Sequence, residues 1–160
     1  MKGKTLGYIK GVQNVPYCKA NVDLKVGMGV ILDRANGLAK LPASADEAKA
    51  CHYIVSNIND KPEIGNFRDT LEVKKGEYVR ADDLTSVANL EMEFADYEVT
   101  GGVDALADGD VLGFGTSGLL EKLEAAQEGA DPADGYKVSF KFIRKTGYMG
   151  KGIIVLVCVN

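Results

Sequence analysis

Residues 108–125 read DGDVLGFGTSGLLEKLEA, and residues 26–43 read VGMGVILDRANGLAKLPA, so nearly the same phrase occurs twice in the chain. A shift of 81 positions places Gly37 on Gly118, with aligned apolar residues on both sides. A short apolar run, a glycine-containing turn and a second apolar run are typical of a β-hairpin. One hairpin buries only one apolar face, so a repeated hairpin predicts a β-rich fold in which several such units pack together.

Four residues are predicted to form the turns of these two units. Asn36 and Gly37 form an Asn-Gly pair, which tolerates positive φ angles and favours a tight reversal. Gly115 and Gly118 bracket the second reversal, where the missing Cβ atoms lower the cost of bending the backbone. The sequence leaves open whether the similarity is a structural repeat or chance among common residues.

Alternating apolar and polar residues predict further strands. The segments are CHYIVSNI at 51–58, NLEMEFADYEV at 89–99, YKVSFKFIRK at 136–145 and GIIVLVCV at 152–159. The last two segments are predicted to pair as the closing hairpin of the fold. A weaker third form of the repeated unit is LEVKKGEYVRADDL at 71–84, with Gly76 at its turn.

Helix is predicted only over one or two turns of ASADEAKAC at 43–51, because Ser44 is an N-cap candidate and Glu47 follows as a capping-box partner. The segment LLEKLEAAQEGADPADG at 119–135 fits either a helix face or a strand, and we expect a strand at its start followed by a loop. The predicted fold class is therefore mainly β, a small β-barrel or β-sandwich built from hairpins with one or two short helical turns.

Charge is distributed unevenly along the 160 residues, a length that allows a core without disulfides or metal. Residues 1–22 carry +4, residues 135–160 carry +5 and the part between carries −13, which gives the net charge of −4. Our first interpretation is that the basic ends are attracted to the acidic middle of the chain and help to close the fold. The alternative is that the basic ends contact an acidic partner surface. We predict an extended basic N-terminal arm at 1–22 and a β-rich domain at 23–160, with an alternative division into lobes at about 23–100 and 101–160.

Three cysteines and one histidine are the candidates for reactive side chains. Cys18, Cys51 and Cys158 are an odd number at wide spacing without a CxxC pair, which predicts reduced and buried thiols. His52 follows Cys51 directly, but a nucleophilic pair meets through space and a zinc site needs three or four ligands. We therefore predict no catalytic residue, no metal site and no cofactor. The alternative is a hydrolase or ligand-binding β-barrel with a pocket around Cys51 and His52.

Nucleotide, nucleic-acid and membrane binding are each disfavoured. The loop GFGTSG at 113–118 lacks the Lys-Ser/Thr of a P-loop and the strand-to-helix context of a dinucleotide site. An acidic pI near 5.1 opposes phosphate binding, and core packing is our preferred explanation for the aromatic residues of 136–145. The longest apolar run, 152–159, is far shorter than the roughly 20 residues that span a bilayer. The N terminus lacks the pattern of a signal peptide, so we expect a cytoplasmic protein.

Two long segments carry a resemblance to a known family: VGMGVILDRANGLAKLPASADEAKACHYIVSNI at 26–58 and YKVSFKFIRKTGYMGKGIIVLVCVN at 136–160. Their pattern of strand, glycine turn and return strand resembles the small β-rich decoration, or cement, proteins of tailed-bacteriophage capsids. The resemblance covers about the first 60 and the last 60 residues and includes no catalytic motif. It implies a non-enzymatic virion structural protein on the outer capsid surface, present in the host cytoplasm during assembly.

The resemblance also implies partners and contact residues. The implied partner is the major capsid protein, and the implied state is a homo-oligomer, with a trimer as one option and no direct contact with nucleic acid or membrane. The basic arm would lie in an acidic groove of the capsid or add a strand to a sheet edge. Candidate contact residues are Lys2, Lys4, Tyr8, Lys10, Tyr17 and Lys19. The alternatives are a tail-tube or head-fibre base component, which would form rings or trimers without a capsid, and the ligand-binding β-barrel.

Overall fold

The computed structural model describes residues 13–57, 71–125, 127–147 and 151–160. Within these residues the chain is mainly β with short helical turns, as the sequence predicts. The strands are β1 (Asn14–Val15), β2 (Lys19–Ala20), β3 (Leu24–Lys25), β4 (Gly29–Asp33), β5 (Leu38–Lys40), β6 (Tyr53–Val55), β7 (Glu72–Val73), β8 (Ala81–Asp83), β9 (Glu91–Ala95), β10 (Val111–Phe114), β11 (Leu120–Lys122), β12 (Val138–Thr146) and β13 (Gly152–Val159). The described helical elements are α1 (Ala45–Ala50) and 3-10 turns at Leu84–Val87 and Asp96–Glu98.

The first sheet has six strands in the order β1-β8-β6-β4-β5-β2. Its neighbouring strands are antiparallel except for β2 and β5, which run parallel. An isolated bridge between Lys19 and Tyr78 ties β2 to the segment that leads into β8, so the sheet curls back on itself. A separate two-stranded sheet pairs β3 with β7. The predicted N-terminal arm is therefore part of the first sheet from β1 onward, whereas residues 1–12 lie outside the described residues.

The second sheet has five strands in the order β11-β10-β12-β13-β9. β12 and β13 are antiparallel from Val138 opposite Val159 onward, which confirms the predicted closing hairpin. A bridge between Val99 and Leu120 ties the segment after β9 to β11, so this sheet curls as the first one does. Over the described residues the sheets make a sandwich-like arrangement, and no closed barrel is detected.

Two clusters of buried side chains form the core. One belongs mainly to the first sheet and includes Val30 and Val55, and the other belongs mainly to the second sheet and includes Phe94 and Phe140. Sheet membership changes after Leu84, because β8 belongs to the first sheet and β9 pairs with β13 of the second.

The two copies of the repeated phrase are both antiparallel hairpins, β4–β5 and β10–β11. The pair Asp33 and Leu38 closes the first hairpin. The pair Phe114 and Leu120 closes the second, whose loop is one residue longer. The repeat is therefore structural, and each sheet contains one copy of it.

The four predicted turn residues lie in these two loops. Gly37 has a φ of 65° and Gly118 a φ of 79°, which is the left-handed backbone that favours glycine. Asn36 donates its backbone N–H at 3.1 Å and its Nδ2 at 2.8 Å to the carboxylate of Asp33. Gly115 is the first loop residue after β10.

The two hairpins contact each other at their glycines. Gly29, the first residue of β4, donates its N–H to the carbonyl of Gly118 at 2.7 Å. The ring of Phe114 packs on Gly29 so closely that an added Cβ atom would lie 2.4 Å from the nearest ring carbon. This contact joins the two sheets, because each contributes one copy of the repeated hairpin to it.

The short helix begins as predicted. The side-chain oxygen of Ser44 accepts the N–H of Glu47 at 3.2 Å and caps α1. The Glu47 carboxylate instead accepts the N–H of Ala43 at 2.8 Å and pairs with Lys40 at 3.1 Å, so the return bond of the predicted capping box does not reach Ser44. Among the described residues, no helix has the length and apolar character needed to cross a bilayer.

Two further segment predictions have opposite outcomes. In β9, Met92 and Phe94 are buried and Glu91 is exposed, which confirms the predicted amphipathic strand. The third form of the repeated unit at 71–84 is not a hairpin, because β7 pairs with β3 and β8 pairs with β6 and β1. Gly76 lies in a turn with a φ of 89°, but this turn connects two different sheets.

Acid is expected to weaken the second hairpin through Asp110, which precedes β10. The N–H of Ala107 donates to Asp110 at 2.9 Å, and this bond, with help from Lys122 at 3.0 Å, holds the pKa of the carboxyl below its usual range. The unfolded chain binds the proton more tightly, so this contribution to stability is present above about pH 4 and is lost as the pH falls through the lowered pKa.

The measurement is the melting temperature of Asp110→Asn between neutral pH and about pH 3. We expect a lower melting temperature at neutral pH and a shallower decline in acid than in the wild type. Asp108→Asn is the matched control, since Asp108 is exposed and lies two positions earlier. An unchanged decline in Asp110→Asn would contradict the prediction.

Candidate functional site

Two exposed tyrosines mark the candidate site. Tyr17 is 77% exposed and Tyr78 is 62% exposed, the largest values among the large hydrophobic residues that the structure describes. Lys19 follows Tyr17 by two residues and forms a bridge with Tyr78, and its Nζ lies 5.1 Å from the centre of the Tyr78 ring in a cation–π contact. We call Tyr17, Lys19 and Tyr78 the tyrosine surface.

Strand β2 holds the tyrosine surface in place. Lys19 donates its backbone N–H to the carbonyl of Gly37 at 2.8 Å on one side, and Ala20 donates to Glu77 at 2.9 Å on the other. Ala20 is buried, so the alternation of an extended backbone directs Tyr17 and Lys19 outward. Backbone that is hydrogen-bonded on both sides therefore presents these side chains in a defined arrangement.

A cleft of about 340 Å³ adjoins Tyr17. Its lining includes Gln13, Asn14, Tyr17, Cys18, Arg34 and Asp83. The Nη2 of Arg34 donates to the Tyr53 hydroxyl at 2.8 Å, and the guanidinium lies 6.0 Å from the centre of the Tyr53 ring. Tyr53 thereby anchors an exposed guanidinium, whose other N–H groups are suited to a carboxylate.

The cysteines are free among the described residues, as predicted, with Cys18 and Cys51 buried and Cys158 half-buried. Burial raises the pKa of the Cys18 thiol, and the charge of Arg34 opposes this shift. The Sγ of Cys51 donates to the carbonyl of Val30 at 3.4 Å, and burial raises the pKa of this thiol to about 12. Both thiols are therefore protonated at neutral pH and are poor nucleophiles.

His52 is not among the residues that line this cleft. Its Nδ1 lies 2.8 Å from the carbonyl oxygen of Ala50, which only accepts, so Nδ1 carries the proton and donates. Its Nε2 then accepts from the ammonium of Lys137 at 3.0 Å. The ring thus contacts the residue before β12, whereas the Cys51 thiol donates to the carbonyl of Val30. Within the described part of the chain, no group of three or more His, Cys, Asp or Glu side chains is placed to hold a metal ion.

Of the six predicted capsid-contact residues, two lie within the described residues and four do not. Tyr17 and Lys19 lie together on the tyrosine surface. The other four lie outside the described residues: Lys2, Lys4, Tyr8 and Lys10. Tyr78 and Arg34 are not predicted from the sequence, because only the pairing of β2 with distant segments brings them beside Tyr17.

Comparisons with family models, with curated proteins and with solved structures gave no match to this chain. Function is therefore inferred from the tyrosine surface, the adjoining cleft and the sequence pattern. The tyrosine surface presents two aromatic rings and the Lys19 cation beside hydrogen-bonded backbone.

Proposed function

We propose that this chain is a non-enzymatic virion structural protein that binds the outer surface of a phage capsid and stabilises the shell by bridging capsid subunits. The observation that carries the proposal is the tyrosine surface, since Tyr17 and Tyr78 are the most exposed large hydrophobic side chains among the described residues. The resemblance of residues 26–58 and 136–160 to capsid decoration proteins supports the choice of partner.

The chemistry of the tyrosine surface suits an acidic protein partner. Tyrosine and arginine are enriched among the residues that dominate binding energy at protein interfaces. Lys19 and the anchored guanidinium of Arg34 add positive charge on a chain whose net charge is −4. A carboxylate of the capsid protein that enters the cleft would bind Arg34 while an apolar neighbour packs on Tyr17.

Stabilisation of the shell would follow from mass action. A ligand that binds only the assembled state adds RT ln(1 + [L]/Kd) to its stability, and many copies on one shell add many such contributions. Bridging requires that each bound unit contact more than one capsid subunit.

Cosedimentation with capsids that lack the protein tests the proposal. We expect saturable binding of the wild type, and binding at least about tenfold weaker for the double variant Tyr17→Ala/Tyr78→Ala, because the anchor side chains of an interface dominate its affinity. Tyr97→Ala is the matched control, since Tyr97 is 42% exposed and lies in a 3-10 turn beyond β9. We expect the control to bind as the wild type does.

Other outcomes would point to other functions. Saturable binding that the double variant retains would reject the tyrosine surface as the contact and direct attention to residues 1–12. Absence of binding, with rings or tubes of the pure protein in electron micrographs, would favour a tail-tube or head-fibre base component. Absence of binding by a plain monomer would favour the ligand-binding alternative, with the cleft beside Tyr17 as its site.

A further inference from the structure

We propose that the cleft beside Tyr17 binds the carboxyl-terminal end of an extended protein chain, which adds a short strand to the outer edge of β1 and places its terminal carboxylate on Arg34. The cleft lies between β1 and the turn of the first hairpin. This inference deepens the proposed capsid binding and rests on it only for the source of the partner chain.

The outer edge of β1 presents backbone groups that its own sheet does not use. β1 is an end strand of the first sheet and, among the described strands, pairs with β8 alone. The N–H of Asp83 donates to the carbonyl of Gln13 at 2.7 Å, so the backbone groups of Gln13 face β8. The next residue, Asn14, stands opposite Asp82, whose backbone groups face β6, since hydrogen-bonded and non-hydrogen-bonded pairs alternate along antiparallel strands. The N–H and C=O of Asn14 therefore point away from β8.

The cleft lies where β5 would continue if it were longer. β5 runs parallel to β2, and the carbonyl of Gly37 accepts the N–H of Lys19 at 2.8 Å. The residues before Gly37 turn away toward β4, so no described strand extends this pairing beside β1. The cleft of about 340 Å³ is lined by Asn14 and Tyr17 of the β1–β2 segment and by Arg34 and Gly37 of the turn. Its small volume suits a short end of extended chain.

The hairpin turn selects which end of a partner chain the cleft accepts. A strand added beside β1 lies in line with the turn at 34–37, so the added chain has to end there. Arg34 stands in this turn, and a guanidinium binds a carboxylate through two parallel N–H···O bonds. The partner chain therefore ends with its carboxyl group at Arg34 and runs parallel to β1, as β5 runs parallel to β2.

The guanidinium of Arg34 has donors left for this carboxylate. Its Nη2 donates to the Tyr53 hydroxyl at 2.8 Å, and it forms no ion pair with any described residue. The two acids close to it in the sequence or in the cleft already accept hydrogen bonds. Asp33 accepts from the backbone and side chain of the turn at 3.1 and 2.8 Å, and Oδ1 of Asp83 accepts from the N–H and hydroxyl of Thr85 at 2.9 and 2.7 Å.

A peptide titration followed by ¹⁵N NMR on the full chain tests the inference. The probe is acetyl-Thr-Val-Thr-Val with a free carboxyl terminus, because β-branched residues favour extended backbone. We expect shifts of the Asn14 amide and the Arg34 Nε–H signals with a Kd of about 1 mM or lower. The same peptide with a carboxyl-terminal amide, and sodium acetate, should each bind at least about tenfold more weakly, since each lacks one half of the contact.

Two pairs of variants separate the carboxylate contact from the strand contact. Arg34→Gln should weaken peptide binding at least about tenfold, whereas Arg144→Gln, at an exposed arginine of the second sheet, should not. Asn14→Pro removes the outward N–H but no hydrogen bond to β8, and proline is tolerated on edge strands. It should weaken binding at least about tenfold, whereas Asn14→Ala, which keeps the N–H, should bind as the wild type does.

The spectrum of each variant without peptide shows whether it is folded, and the Arg34 pair decides if Asn14→Pro is not. Absence of binding at about 5 mM peptide would overturn the inference, as would equal binding of the amide or of acetate, or full binding by Arg34→Gln. No capsid is needed, so the two proposals fail separately. Capsid binding without peptide binding would reject only this inference, and peptide binding without capsid binding would reject only the capsid as the source of the chain.

Discussion

Replacement of Phe140 by alanine is expected to lower the free energy of unfolding by about 3–5 kcal/mol, the range found for buried phenylalanines. Phe140 is fully buried on β12, in the middle of the second sheet. Its ring meets the Phe94 ring edge-on at 5.5 Å and the Phe114 ring edge-on at 5.2 Å. Alanine would remove both aromatic contacts and leave a cavity between three strands that are held in register by their hydrogen bonds.

Equilibrium denaturation in urea measures this loss as a shift of the transition midpoint, provided that the dependence of the unfolding free energy on urea concentration is the same in both proteins. Ile143→Ala is the matched control, because Ile143 lies on the same strand at the β-bulge and is 36% exposed. We expect the control to lose less than about 1 kcal/mol. A loss below about 1 kcal/mol for Phe140→Ala would contradict its central place in the core.

The second large effect is expected for Gly118→Ala, with a loss of about 2–4 kcal/mol. The φ of 79° accounts for about 1–2 kcal/mol of this, since a Cβ atom is disfavoured in left-handed backbone. The remainder comes from crowding, because the added Cβ atom would lie 2.7 Å from the Leu41 side chain and 2.9 Å from the Gly29 carbonyl oxygen. The Gly29 oxygen is backbone and cannot move without shifting β4.

The repeated hairpin supplies the control for this prediction. Gly37→Ala alters the equivalent position of the first hairpin, where φ is 65° and nothing lies within 4 Å of an added Cβ atom. Gly37→Ala should therefore lose only the conformational part, about 1–2 kcal/mol. Equal losses in the two variants would contradict the expected crowding of the added Cβ atom at Gly118.

The parts of the fold that could be predicted are those that depend on residues close together in sequence. The turn glycines, the alternation of Met92 and Phe94 in β9 and the closing hairpin are local patterns, and the structure confirms them. The third unit at 71–84 was beyond such reasoning, because its strands find their partners in β3, β6 and β1. Pairing between distant segments follows from the packing of the whole core, which a local pattern does not encode.

The candidate site was predictable only in part for the same reason. Tyr17 and Lys19 could be chosen because they stand in an acid-free segment of the sequence. Tyr78 lies about 60 residues further along the chain and joins them through a single bridge to Lys19. Arg34 reaches the cleft because the turn of the first hairpin lies beside β2, where the Gly37 carbonyl accepts from Lys19.

The position of β13 between β12 and β9 has a consequence for synthesis on the ribosome. Every strand of the first sheet precedes residue 84, so that sheet can form while later parts of the nascent chain are still being made. The second sheet has to wait, because β9 pairs with Gly152 to Leu156 of β13, and Leu156 must emerge before that pairing is complete. During this delay Met92 and Phe94 are not yet packed in the core. The incomplete protein therefore exposes an unpaired apolar strand, which chaperones and neighbouring nascent chains can bind.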